Sequence, residues 1–175
     1  VLCAPYGSNY LVAWFGTIIC KRQAMGVRVL RTYEQIDKRQ WAQLARESST
    51  ATWWQTEEAY RLLSSLPDYR MEVVGVAEEE ELCGVVVIMR PQARTKIGQW
   101  LSRRAVIMGG VMVSDDISAE AYCRLMAAIK EQTSDTIYVE IRNLCDHSAW
   151  REVMEACGWR YMPHLNIRID TSNAQ

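Results

Sequence analysis

Hydrophobic and polar positions repeat with two different periods along the chain, and each change of period marks a predicted element. A period of two predicts strands, which the sequence places at residues 27–31, 71–78, 82–89, 105–108, 136–141 and 164–170. Helical spacing predicts helices after Asp37 and Thr56, and at residues 118–132 and 148–157. The order β-α-α-β-β-β-α-β-α-β interleaves helices with strands, so we expect an α/β (α+β) fold with a mixed, twisted sheet flanked by helices.

Local signals define the ends of several predicted elements. Asp37, Thr56 and Ser118 stand where a side-chain oxygen can cap the N-terminus of a helix. Gly158 can end the last helix in the left-handed conformation. Three consecutive glutamates, residues 79–81, separate two strand-like runs, which predicts an antiparallel β-hairpin.

The composition is that of a folded domain with a sizeable core. The chain has 175 residues, 49% of them hydrophobic and 23% charged, which predicts one globular domain and excludes a disordered or low-complexity protein. The side chains that we expect in the core are Trp41, Leu44, Leu62, Leu66, Val74, Val86, Ile88, Leu125, Ile129, Val139, Ile141, Met154 and Ile167.

Charge and cysteine content narrow the classes of function. A formal net charge of −1 at pH 7 provides no overall positive field that would recruit nucleic acid. The six cysteines are scattered and form no CxxC pair, which predicts reduced thiols in a cytoplasmic protein. The spacing of Cys145, His147, Cys157 and His164 matches no usual zinc pattern, so we expect no metal site.

Residues 1–24 differ from the rest of the chain. The apolar run from Leu11 to Cys20 has ten residues, whereas a membrane-spanning helix needs about 20. A basic pair follows this run, although in a signal peptide the basic residues come first. We therefore expect residues 1–24 to be a disordered or non-native extension, and residues 25–175 to form the domain.

Segment 90–104 is the strongest concentration of positive charge. It contains five basic residues and no acidic one, so it is a candidate contact for an anionic partner, or else a solvated loop. The five basic residues are Arg90, Arg94, Lys96, Arg103 and Arg104.

Three places in the sequence are candidates for contact with a ligand. Glu140 and Arg142 share one face of a predicted strand, where they either bind a carboxylate or phosphate or pair with neighbouring charges. Gly109 and Gly110 follow the fourth strand and either let a substrate approach the backbone closely or mark a bulge or strand end. Gln55 follows two tryptophans at a helix start, where side chains contact a ligand or belong to the core.

Four short segments resemble the Fem-type aminoacyltransferase family. They are ATWWQT (51–56), IYVEIRNL (137–144), GWRY (158–161) and HLNI (164–167), and the resemblance spans about residues 27–171. It implies a GNAT-like acyltransferase fold. Because members of this family consist of two GNAT-like halves, it also implies that this chain is either the N-terminal half of a larger enzyme, which we favour, or a stand-alone half-domain.

The resemblance also implies a reaction and its partners. Fem-type enzymes transfer an amino acid from aminoacyl-tRNA, without a further cofactor, to an amine of a lipid-linked peptidoglycan precursor. This implies a cytoplasmic protein that works at the inner face of the membrane. Aminolysis of an ester requires a neutral amine and hydrogen-bond donors for the oxyanion, but no covalent nucleophile. The three candidate places above would then bind the precursor, and the basic residues would bind tRNA, precursor or membrane phosphates.

Two other functions remain open from the sequence. One is an acetyl-CoA-dependent N-acetyltransferase, which normally has a Q/R-x-x-G-x-G/A turn that holds pyrophosphate at a helix N-terminus. The region after the fourth strand lacks this pattern and carries Asp115 and Asp116 instead. The other is a non-catalytic recognition half-domain, in which the chemistry belongs to the second half.

Overall fold

The computed structural model describes residues 26–92 and 103–163. Within these ranges the strands are β1 (Val27–Leu30), β2 (Tyr69–Glu78), β3 (Glu81–Pro91), β4 (Arg104–Gly109), β5 (Met112–Val113) and β6 (Tyr138–Asn143). The α-helices are α1 (Lys38–Glu47), α2 (Glu57–Ser64), α3 (Ala119–Gln132) and α4 (Arg151–Ala156). Single 3-10 turns occur at Tyr33–Gln35, Trp53–Gln55 and Ser148–Trp150.

The strands form one open, mixed sheet in the order β1-β2-β3-β4-β6. Neighbours from β1 to β4 are antiparallel, whereas β4 and β6 are parallel and are connected through α3. Strand β5 follows β4 and pairs with β3. The expected mixed sheet flanked by helices is therefore confirmed.

The predicted hairpin is also confirmed, with a shorter turn. Strands β2 and β3 pair antiparallel, and Val74 lies opposite Val86. Glu79 and Glu80 both have positive φ, 48° and 75°, as a two-residue hairpin turn requires, and Glu81 is already the first residue of β3.

The three predicted helix caps are present. Asp37 accepts hydrogen bonds from the N–H groups of Arg39 and Gln40, Thr56 caps α2, and Ser118 caps α3. The last helix is shorter than expected, because residues 148–150 form a 3-10 turn before α4 begins. Strand β6 begins two residues later than predicted, since the Thr136 hydroxyl donates to the Thr133 carbonyl in the preceding turn.

Each face of the sheet carries its own core. Helices α3 and α4 cover one face, where Leu125, Ile129 and Met154 pack on β-strand side chains. Trp41 and Leu44 of α1 pack on the other face. Eight of the expected core residues are buried, whereas Val139 and Ile141 are partly buried and Ile167 lies outside the described residues.

The prediction that Leu62 and Leu66 are buried is wrong, since their exposed fractions are 55% and 40%. Helix α2 has only eight residues, and Ala59 is its fully buried member. Leu62, in the last turn of the helix, and Leu66, two residues beyond its end, are therefore at the surface. Among the described residues no helix is long and apolar enough to cross a membrane. Residues 1–24 and the predicted strand at 164–170 lie outside the described ranges.

Candidate functional site

A two-residue bulge separates β4 from β5. Both strands pair with β3, through Met89–Val106 and through Gly84–Val113. Between these two pairs β3 contributes residues 85–88 and the other chain segment contributes residues 107–112, so the second segment has two extra residues. Gly109 and Gly110 supply the bend with φ values of +83° and +92°. Of the two readings left open by the sequence, the bulge is therefore present.

The bend also requires glycine for steric reasons. A Cβ atom on Gly109 would lie 2.1 Å from Oγ1 of Thr52, and one on Gly110 would lie 2.6 Å from Oδ1 of Asn143. Two segments distant in sequence thus approach the backbone of the bend closely. The Thr52 hydroxyl oxygen is buried and has no hydrogen-bond partner among the described residues.

Gln55 fills the gap that the bulge leaves between β3 and β4. Its Oε1 accepts from the Val87 N–H at 2.7 Å, and its Nε2 donates to the Met108 carbonyl at 2.6 Å. The side chain is completely buried. Gln55 was predicted to contact substrate, but its amide is engaged with the backbone of two strands, so it positions the bend from inside the protein.

The edge of β5 that faces away from β3 carries backbone N–H and C=O groups next to the candidate site. Val113 directs its N–H and C=O away from β3, where Thr50 Oγ1 accepts from the N–H at 3.0 Å and Ser48 Oγ donates to the carbonyl at 2.5 Å. Alternate residues of a strand direct their N–H groups to the same side. Val111 lies between the bend and β5, two residues before Val113, so we expect its N–H to be directed to this side as well.

A cleft opens where the parallel pairing of β4 and β6 ends. The last pair is Gly109–Asn143, and beyond it β5 continues beside β3. The cleft has a volume of about 1060 Å³. Its lining includes Met108, Arg142, Asn143, Leu144 and Trp159. The carboxyl ends of parallel strands are the usual place for a ligand in sheets of this kind.

Glu140 and Arg142 form a two-point ion pair at the side of this cleft. Nε of Arg142 is 3.0 Å from Oε1 of Glu140, and Nη2 is 3.0 Å from Oε2. This hydrogen bonding raises the pKa of Arg142 above its ordinary value. Nη1 lies 3.9 Å from Sδ of Met108, on the side of the cleft. The charge pairing considered from the sequence is present, and the half-exposed guanidinium keeps a face toward solvent.

The basic run does not act as one surface. Arg90 is largely buried and forms hydrogen bonds with both oxygens of Asp135 and with the Gln132 carbonyl, and its Nε is 3.2 Å from Glu72. These contacts hold Arg90 within the protein, and its role in binding an anionic partner stays a prediction. Arg103 and Arg104 are exposed, and Nη1 of Arg104 is 3.4 Å from the Tyr138 hydroxyl. Arg94 and Lys96 lie outside the described residues.

The N-terminus of α3 holds a carboxylate of the protein itself. The N–H and hydroxyl of Ser118 donate to the two oxygens of Glu78, at 3.3 Å and 2.5 Å. Asp115 accepts from the N–H and hydroxyl of Ser49, and this hydrogen bonding lowers the pKa of Asp115. A second cavity beside these residues is lined by seven acidic side chains, and no basic side chain is among its described lining residues.

His147 is a buried histidine close to the cleft wall. Its side chain is completely buried, and neither ring nitrogen has a hydrogen-bond partner among the described residues. Burial lowers the pKa of the imidazole, although the charge of Asp146 opposes this shift. The preceding residues Leu144, Cys145 and Asp146 line the cleft.

We expect His147 to make the protein sensitive to acid. Because the folded state disfavours the imidazolium, the unfolded state binds more protons below about pH 6.5, and stability falls there as the pH falls. For one proton, the free energy of unfolding falls by at most about 1.4 kcal/mol per pH unit. Urea unfolding between pH 7.5 and 5.5 measures it in H164Q, where His147 is the only histidine of the chain. In the H147L/H164Q variant the free energy of unfolding should lose this part of its pH dependence. Equal pH dependence in the two variants would contradict the role of His147.

Three residues at the bend were missed in the sequence analysis. Ser48, Thr50 and Thr52 contact β5 or Gly109, and the available signal was the run SSTAT between two helices. Hydroxyl side chains in such a run are usually assigned to turns, so the run alone does not indicate contact with a distant strand.

The described residues contain no group of three or more His, Cys, Asp or Glu side chains that could hold a metal ion. The chemical groups that line the cleft include the Glu140–Arg142 ion pair, the Asn143 amide and the Cys145 thiol. We compared the chain with models of protein families, with curated proteins and with solved structures, and none of them matches it.

Proposed function

We propose that this domain is a GNAT-like acyl-transfer domain of the aminoacyltransferase type and forms one wall of the site where an amine attacks an aminoacyl ester. The observation that carries the proposal is the bend at Gly109–Gly110, which places Val111 next to the point where the pairing of β4 and β6 ends. A fixed N–H at such a place can stabilise the negative oxygen that develops during acyl transfer.

In this reaction the protein has to position the amine and the ester and to provide hydrogen bonds. The lone pair of a neutral amine forms a bond to the ester carbonyl carbon, and the carbonyl oxygen becomes an oxyanion that accepts from the backbone N–H. The C–O bond to the ribose of tRNA then breaks, and the leaving oxygen takes the proton released by the amine. An ester is already activated, so no covalent enzyme intermediate is needed.

Arg142 is the group that we assign to binding the acceptor. Glu140 holds the guanidinium in one orientation through two hydrogen bonds, which reduces the entropy lost when an anion binds. A peptide carboxylate or the pyrophosphate of a lipid-linked peptidoglycan precursor has the charge that this group prefers. Arg103 and Arg104 remain as exposed cations for the phosphates of tRNA or of the inner membrane surface.

The surroundings of α3 disfavour acetyl-CoA as the donor. A helix N-terminus can bind pyrophosphate only if its N–H groups are open to the ligand. The N-terminus of α3 holds Glu78, and Asp115 and Asp116 stand next to it. A further phosphate would be repelled by these charges.

Exposed apolar side chains support a second half that covers this one. Trp53, Leu62 and Leu66, which lie before, in and after α2, have exposed fractions of 49%, 55% and 40%. Large apolar side chains that are exposed within one short stretch of chain are typical of surfaces that another domain covers. We expect residues 25–175 alone to be folded, inclined to self-associate and inactive, and to become active when a second GNAT-like half is supplied.

Substitution of Arg142 by alanine tests the proposed acceptor site. We expect R142A to weaken binding of a lipid-linked muropeptide precursor by about 1–3 kcal/mol, because a charged hydrogen bond is lost. Calorimetric titration of the chain with the precursor measures the change. R28A is the matched control, since Arg28 is an exposed arginine paired with Glu80 at the opposite edge of the sheet.

Three outcomes would contradict or replace the proposal. Equal affinities of R142A and R28A for the precursor would contradict the role of Arg142. Saturable binding of acetyl-CoA with transfer of its acetyl group to an amine would replace the proposal by an ordinary N-acetyltransferase. Precursor binding that persists without transfer, even when the second half is present, would instead indicate a recognition half-domain.

A further inference from the structure

A segment rich in serine and threonine, Ser48–Thr52, runs along the edge of β5 that faces the cleft. The N–H of Val113 donates to Thr50, and the Val113 carbonyl accepts from Ser48. These are the two backbone groups that a neighbouring strand would pair with in a continuous sheet. The hydroxyl side chains of the segment therefore take the place of a strand at this position.

Contacts on both sides of Val113 hold the segment in place. Beyond one end of β5, Asp115 accepts from the N–H of Ser49 at 3.0 Å and from its hydroxyl at 2.6 Å. At the other end Thr52 lies against Gly109 in the bend. Thr50 is buried, and Ser49 lines the cleft. The segment thus separates the outer part of the β5 edge from the cleft.

We propose that Ser48–Thr52, the strap, determines the length of ligand that the cleft accepts. An extended ligand binds to a free strand edge by pairing with alternate residues, which lie about 6.6 Å apart. The strap occupies the edge at Val113, so a ligand can pair with the backbone at Val111 only. The cleft then accepts an acyl group of amino-acid size and excludes a longer arm that carries several amides.

This inference rests on the proposed function for the reaction at the cleft, but its test requires no transfer. The first measurement is amide hydrogen exchange of the 175-residue chain, followed by NMR. T50V keeps the shape of Thr50 and removes its hydroxyl, so we expect the Val113 amide to exchange about tenfold faster. T50S keeps the hydroxyl and should preserve the protection. Unchanged exchange of Val113 in T50V would overturn the proposal.

The second measurement uses pantetheine as the probe, because it is an uncharged arm with two amides. We expect millimolar pantetheine to leave the Val111 and Val113 amide signals of the wild-type chain unchanged. In S48G/T50G we expect saturable shifts of both signals. S134G/T136G changes the same residue types in the loop before β6 and should behave like the wild type.

Either of two results would overturn the strap as the determinant of ligand length. One is a shift of the Val113 signal in the wild-type chain. The other is a folded S48G/T50G variant whose Val113 amide exchanges quickly but does not respond to pantetheine. A failure of the proposed aminoacyl transfer is a separate result, because it appears in precursor binding and R142A and does not affect exchange at Val113.

Discussion

Replacing Gln55 by leucine is expected to lower the free energy of unfolding by about 2–5 kcal/mol, because two buried backbone groups lose their partner. The groups are the Val87 N–H and the Met108 carbonyl, which Gln55 joins across the gap between β3 and β4. Each buried group without a hydrogen bond costs about 1–3 kcal/mol. Leucine has a similar size, so the loss of packing adds little.

Urea unfolding followed by circular dichroism measures this change. The control is Q43L, since Gln43 is exposed and its side chain donates to Glu47 on the same helix. We expect this control to change stability by less than about 0.5 kcal/mol. If Q55L is as stable as Q43L, Gln55 does not hold the bend between β4 and β5.

Replacing Arg90 by methionine is expected to lower the free energy of unfolding by about 2–4 kcal/mol. Arg90 connects β3 to the end of α3, where it donates to the Gln132 carbonyl at 2.6 Å and to both oxygens of Asp135. It also neutralises Glu72, which is buried on the sheet. A buried carboxylate that loses a cation is costly, although Arg70 remains 3.1 Å from Glu72 and reduces the loss.

The matched control is R70M, because Arg70 contacts the same carboxylate but is mostly exposed. We expect it to cost less than about 1 kcal/mol. The pH dependence gives a second readout. Hydrogen bonding to Arg90 lowers the pKa of Asp135, so the pair stabilises the fold above the ordinary pKa of about 3.8 and this contribution is lost as the pH falls. The stability of R90M should no longer show this dependence on acid pH. If R90M and R70M lower the free energy of unfolding equally, the buried contacts of Arg90 do not stabilise the fold as proposed.

Elements with local signals were predicted well. A cap such as Asp37 contacts N–H groups two and three residues away, so neighbouring residues determine where the helix begins. The hairpin of β2 and β3 is similar, because two alternating runs are joined by a short turn. Leu62 and Leu66 show the limit of such patterns. Their spacing predicts a buried face, but a buried face forms only where another element lies against it.

The candidate site depended much less on local signals. Glu140 and Arg142 were expected on one face, and this follows directly from the period of a strand. The roles of Gln55 and Arg90 could not be derived in this way, since the hydrogen-bond partners of each side chain are more than 30 residues away. A polar side chain in a sequence is equally compatible with binding a ligand and with joining two strands.

Within the described residues, the sequence by itself determined the order of the four helices and of strands β1 to β4 and β6, the helix caps, the hairpin and the pair of glycines at the end of β4. These features depend on backbone preferences and on hydrogen bonds between near neighbours. Only the tertiary structure decided that β5 pairs with β3 after a two-residue bulge, that Thr50 and Ser48 take the edge of β5, and that Glu78 occupies the N-terminus of α3. The reason is that strand register and the partners of buried polar groups are chosen by packing over the whole chain, where each buried group must find a hydrogen bond.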